Sequence, residues 1–343
     1  MKHNICIKKI IQVLLVTGIM LILLLLLQRL LMPKYVTEAV EGRFVGEYYR
    51  EEHRDHDVLF LGDCEVYDSY ATPVLWRDFG IHSYIRGSAK QQIWQSYYLL
   101  KECFRVHVPK VVVFNVQALQ YGEPQEESYN RMTLDPMRWS PEKLGAVFAS
   151  MREEESFLSY LFPILRFHGR WKELSAVDLH GFFGTEPITY NGYYLSTERV
   201  PAKDVPEGVL LPDYDFSDRA WEYMEKLRLL CEENGVTFLL VKAPALYPEW
   251  YPEYEEQVRN YAKEHDLCYL NFLELSEEVG LDYETDTSDG GLHLNVYGAE
   301  KMARYLGPLL YEKGVADRRG EPALAADWEK KLKRYEEAKT TKE

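Results

Sequence analysis

The chain is poor in cysteine, unremarkable in glycine and short of positive charge, and each shortage removes a class of protein. Five cysteines among 343 residues do not make a disulfide-stapled scaffold. With 21 glycines and 14% aromatic residues the composition is neither collagenous nor disordered. The sequence has no HExxH, no CxxC pair and no GxxxxGK followed by Ser or Thr, so no metal, nucleotide or other cofactor is expected. The formal net charge of −15 is unevenly spread: residues 1–34 hold Lys2, Lys8, Lys9, Arg29 and Lys34 and no acid, a balance of +5, which leaves −20 on the other 309. Neutralising a phosphate backbone needs basic surface, so nucleic acid is not an expected partner.

Long apolar runs are also scarce, with one exception. From Ile10 to Gln28 there are 19 residues without a charge, close to the roughly 20 that an α-helix needs to cross a bilayer. A cleaved signal peptide has an apolar region of about 7 to 15 residues and a small-residue cleavage site; here QRLLMPKY follows. The expectation is therefore a transmembrane helix over 10–32. Lys2, Lys8 and Lys9 precede it, which places the N-terminal residues 1–9 in the cytoplasm and the acidic bulk outside. Residues 33–55 read as a polar stalk. Of the cysteines, Cys103, Cys231 and Cys268 lie in apolar patterns and read as buried free thiols.

Beyond the stalk, short Val, Ile, Leu and Phe runs alternate with helical patterns. Strands are expected at 57–62, 82–87, 110–116, 236–243 and 267–272, and helices at 73–79, 91–104, 217–233, 252–264 and 295–311. This rhythm predicts one α/β domain over 56–312, a doubly wound parallel sheet of about five strands. Residues 117–216 break the rhythm and read as a helical insertion over the carboxyl ends of the strands, with a loop or small hairpin in GFFGTEPITYNGYYLS. Residues 313–343 read as a highly charged, solvated helical tail.

Three stretches fall where such a fold carries chemistry. FLGDCEVYDSY puts Asp63 and Cys64 directly after the first strand, at the start of a helix, where unpaired N–H groups stabilise a thiolate or an oxyanion. GLHLNVYGAEK places His293 before the last helix, with Asp289 four residues upstream and Asp286 seven, a pairing suited to a general base oriented by an acid. IRGSAKQQ puts Gly87 after the second strand, where a backbone N–H without a side chain approaches a substrate oxygen.

The order GDC, then Gly87 in GSAKQQ, then Asp and His-Leu-Asn followed by Gly298 resembles the SGNH/GDSL hydrolase superfamily. Among its members the chain most resembles the membrane-anchored, extracytoplasmic bacterial branch that includes the D-alanyl transfer protein of teichoic acid modification and polysaccharide O-acetylation proteins. The resemblance covers about 57–311, the insertion only loosely. It implies a flavodoxin-like sheet, Cys64 in the place of the family's serine nucleophile, His293 as base and Asp289 as orienting acid, with Asp286 as the alternative. It further implies oxyanion donors at the Cys64 and Gly87 amides. Asn115, or Gln117, would take the place of the family's asparagine. Cysteine for serine allows either a thioester route or a protein that only binds. The implied function is acyl transfer to, or ester cleavage on, a cell-surface glycan or polymer, alongside a multi-span membrane O-acyltransferase. The alternative is a non-catalytic glycan-binding or assembly subunit. Acidity over the outer part makes a neutral acceptor easier than a polyanion, which would need Arg86, Arg131, Arg138, Arg166 and Arg170 near the site.

Overall fold

The computed structural model describes residues 2–33, 41–183 and 186–341. They fall into two units, residues 1–40 with 153–186, and residues 41–152 with 187–343. The first unit is built on α1 (Lys2–Leu31). Over Ile7–Leu31 this helix is long and apolar enough to cross a membrane. Its exposed face is almost continuous as far as Leu23, and only its last turns are covered, with Gln28 and Leu31 buried. Short helices at Phe157–Leu161, Ile164–Phe167 and Ala176–Phe183 complete the unit.

The second unit is a five-stranded, all-parallel sheet: β1 (Val58–Gly62), β2 (Ser83–Gly87), β3 (Val111–Asn115), β4 (Thr237–Lys242) and β5 (Cys268–Asn271), in the order β2-β1-β3-β4-β5. β1, β2 and β3 are buried along their whole length; β1 and β3 accordingly read as apolar runs instead of alternating ones, whereas β2 carries the buried Ser83 and Arg86. The helices are α2 (Cys64–Ser69), α3 (Thr72–Phe79), α4 (Ile93–Phe104), α5 (Asp218–Glu233), α6 (Pro252–Glu264), α7 (Val296–Glu312) and α8 (Pro322–Thr341). Ser217 caps α5 by accepting from the Ala220 N–H, and Asn295 caps α7 by accepting from the N–H groups of Tyr297 and Gly298. Strand order reverses between β1 and β3, and in sheets of this kind ligands bind beyond the carboxyl ends at that reversal. The fold is the doubly wound parallel sheet with flanking helices that the sequence predicts.

Three expectations need correction. Part of the predicted stalk is structured: Glu41–Glu47 is helical, and Phe44, Val45 and Tyr48 are buried, while 34–40 lie outside the described residues. Apolar side chains within a charged sequence find a core even where no long periodic run announces one. The tail is not a solvated helix. In α8, Leu324, Trp328 and Tyr335 are buried, Trp328 stacks on Trp76 at 5.4 Å, and its indole N–H donates to His82 Nδ1 at 3.0 Å. The insertion is divided, since Pro141–Ser150 packs on α4 whereas 153–186 belong to the unit of α1. Tyr190 and Tyr193 form the predicted small hairpin, turned through Asn191 and Gly192, both at positive φ.

Candidate active site

β1 ends in Gly62, whose backbone runs close to β3: a Cβ there would lie 2.8 Å from the Asn115 Cβ. Asp63 follows as N-cap of α2 and Cys64 as its first residue. Gly87 is in register with Gly62. A Cβ on Gly87 would stand 2.5 Å from Val66 Cγ2 and 3.0 Å from the Asp63 carbonyl, so the close approach of β2 to the Cys64 turn requires glycine. The positions after β1 and β2 named from sequence are thus adjacent.

The loop before α7 brings His293 to the same edge. Asp289 holds it twice: the His293 N–H donates to Asp289 Oδ1 at 2.8 Å, and the ring Nδ1 lies 2.6 Å from Oδ2. The Tyr247 hydroxyl donates to the Asp289 carbonyl at 3.0 Å. The far ring nitrogen, Nε2, is buried without a hydrogen-bond partner and lies 3.8 Å from Asp68 Oδ2. Cys64 and His293 are close enough to perturb one another. Burial, with Asp63 next to it, pushes the Cys64 thiol up to about 11 against the opposing pull of His293. Burial on its own would depress His293, but Asp68, Asp289 and the Cys64 thiol together hold it well above its ordinary value. Desolvation would raise Asp289, and its bond to His293 overrides that and lowers it. These groups together favour the protonated ring and the neutral thiol.

Beneath Cys64 lies a buried polar network that no single motif discloses. Asn115 donates to Asp63 Oδ1 at 3.2 Å and to Glu65 Oε2 at 2.8 Å, and accepts from the Ala243 N–H at 3.0 Å. The Lys242 ammonium bonds Glu65 at 3.1 Å and Tyr121 donates to Asp63 Oδ2 at 2.9 Å. Burial raises both Asp63 and Glu65, the latter to about 7, with Lys242 opposing. Asn115 is therefore a strut between β3, α2 and the end of β4, with both amide hydrogens spent, and has no donor left for an oxyanion. Gln117, one turn on, is fully buried with neither amide atom bonded. Asp286, the reserve acid, is committed elsewhere, to the Asp282 N–H at 2.8 Å and Lys301 at 2.6 Å. Asp68, at 3.8 Å from His293 Nε2, is the neighbour that sequence reading missed; its position four residues after Cys64, on one helical face, was the available signal.

The arginine patch does not form at the site. Arg86 is buried against Glu102 at 3.0 Å, Arg131 is buried between Glu127 and Asp135, and Arg138 donates to the Tyr49 carbonyl. Arg166 and Arg170 belong to the unit of α1. Among the described residues, no three His, Cys, Asp or Glu side chains are grouped to hold a metal ion. A cavity of about 310 Å³, lined by Arg228, His265, Cys268 and Lys313, opens at the amino ends of β4 and β5, the edge opposite the Cys64 turn.

No protein-family model and no curated protein match the chain. Among solved structures it is similar to a provisionally assigned acylhydrolase from Bacteroides fragilis, at 11% identity and a TM-score of 0.39, over 79% of this chain and 95% of the other. It is also similar to a GDSL-like lipase from Bacteroides thetaiotaomicron, at 12% identity and a TM-score of 0.37, over 79% and 97%.

Proposed function

We propose that the chain is a membrane-anchored, extracytoplasmic SGNH-like enzyme that transfers or cleaves acyl esters on a cell-surface glycan or polymer. What supports this reading is the His293–Asp289 pair, 2.6 Å apart, in the neighbourhood of Cys64 at the carboxyl edge of the sheet beside the strand reversal. A side chain of weak nucleophilicity, a base facing it and an acid behind the base form the arrangement that covalent acyl chemistry requires.

In the reaction, His293 acts once it has lost its proton. Cys64 Sγ attacks the ester carbonyl carbon while the thiol proton passes to Nε2, and the carbonyl electron pair moves onto oxygen. The Cys64 amide, with Gly87 and Gln117 as the further candidates, supplies hydrogen bonds to that oxyanion. Collapse expels the alkoxide, which takes the proton from His293 and leaves a thioester. A glycan hydroxyl or water then gives its proton to His293 and attacks the thioester, releasing the thiol. A thioester intermediate suits passing the acyl group on to a second acceptor, with a multi-span membrane O-acyltransferase as the donor-side partner.

One observation favours a second reading. Cys64 is flanked by Asp63 and Glu65, both buried, and carboxylates so placed disfavour a thiolate, as expected of a non-catalytic glycan-binding or assembly subunit. Cys64→Ala and Cys64→Ser separate the two. Incubation of the full chain with p-nitrophenyl acetate at alkaline pH should leave an acetyl adduct on the Cys64 peptide. Ester cleavage should fall by about 10³-fold or more in Cys64→Ala, while Cys64→Ser retains hydrolysis. Turnover unchanged in Cys64→Ala removes the nucleophile, and absence of both adduct and turnover in the parent chain leaves the binding reading.

A further inference from the structure

The unit of α1 carries an apolar surface that is not accounted for by the site. Within 157–179, Leu158, Leu161, Phe162, Leu165, Trp171 and Leu179 are all exposed, Trp171 by 64%. Single exposed apolar side chains are ordinary, but this many within one short stretch of chain are not. The stretch is fixed to one end of α1. Ile164–Phe167, the turn at His168–Lys172 and Ala176–Phe183 all pack against that helix. Arg170 Nη1 donates to the Leu31 carbonyl at 2.7 Å, closing the C-terminal end of α1, and is itself held by Asp178 at 3.0 Å. The Arg29 guanidinium lies over the Phe182 ring.

Position along the helix decides what covers this surface. Ile7–Leu31 is 25 residues, about 38 Å at 1.5 Å per residue, against roughly 30 Å of hydrocarbon. Its last turns therefore reach the headgroup zone, and whatever packs on Gln28 and Leu31 sits at that depth. The segment also has the chemistry of that zone, with exposed leucines, Phe162 and Trp171 interleaved with Arg166, His168 and Lys172. We propose that residues 157–179 form an interfacial collar whose leucines and aromatics enter the headgroup–acyl boundary of the bilayer, with the basic side chains reaching to anionic headgroups. The inference rests on the reading of α1 as a membrane span.

The test uses the full chain reconstituted in vesicles of phosphatidylcholine and phosphatidylglycerol that carry a diazirine in the acyl tail, followed by photolysis and peptide mapping. Label is expected on α1 and, several-fold above the α5 peptide, on peptides covering 157–172. In Leu165→Glu/Trp171→Glu the label on these peptides should fall several-fold while that on α1 is unchanged. Label on α1 with only background on 157–172 overturns the collar and leaves the span standing. No label on α1 overturns the span, and the collar with it. In native membranes, background lipid label together with crosslinks from this segment to another polypeptide assigns the surface to a protein and overturns the lipid proposal.

Discussion

His293 has Asp289 at 2.6 Å from Nδ1 and Asp68 at 3.8 Å from Nε2, so its charged form is favoured from both sides. Asp289 holds the ring through Nδ1, while Asp68 faces Nε2. The groups facing the ring are Asp68, Cys64 and the stacked ring of Tyr67 from α2, Asp289 from its own loop and Tyr247, whose hydroxyl bonds the Asp289 carbonyl. Because His293 is raised, its ring keeps the proton at low pH and loses it only as pH climbs through the elevated value. Asp68→Asn should lower that value, moving the rising limb of acylation, and of Cys64 alkylation by iodoacetamide, about one unit toward acid. The profile of the Cys64 peptide, followed by mass spectrometry, reads this without knowledge of the substrate; an unmoved limb would show that Asp68 does not act on the base. The sequence made the pairing of Cys64, His293 and Asp289 legible because each follows or precedes a recognisable element. It could not distinguish Asn115 as strut from Asn115 as donor, since that depends on two carboxylates one strand away.

Strands and most helices were legible from period alone. The expected strand at 110–116 is Val111–Asn115, and the expected helix at 295–311 is Val296–Glu312, because buried parallel strands and amphipathic helices impose patterns that side-chain burial then enforces. The helix of α8 was expected within 313–343, but its packing was not, because charge dominates its composition while three large side chains, Leu324, Trp328 and Tyr335, are buried. Trp328→Ala should therefore destabilise the domain by about 3 to 5 kcal/mol, the usual cost of emptying a fully buried aromatic site. Urea titration followed by circular dichroism checks this. A loss under about 1 kcal/mol would mean the helix is peripheral after all.

For the domain as a whole, acid should act through buried imidazoles as well as through the site. Burial, with Arg318 and Lys331 nearby, pushes His82 down to about 3; burial and His82 hold His56 well below its ordinary value. Geometry agrees for His82, whose Nδ1 accepts from Trp328 and is hence unprotonated, while Nε2 lies 3.2 Å from the His53 carbonyl. The unfolded chain takes up these protons from about pH 6.5 downward and the folded chain does not. Their stabilisation is thus complete above that pH and falls away below it, for His82 by about 2 kcal/mol at pH 5. Unfolding free energies at pH 7 and 5 measure the loss, and His56→Gln should flatten it; equal values at both pHs would contradict the buried neutral state. The docking of α8 also sets an order of events. Trp76 and His82 wait for a partner some 250 residues downstream, so a chain still in synthesis short of Trp328 leaves both without their cover. Folding of this domain closes only after that stretch has emerged, and a nascent chain must be kept from aggregating until then.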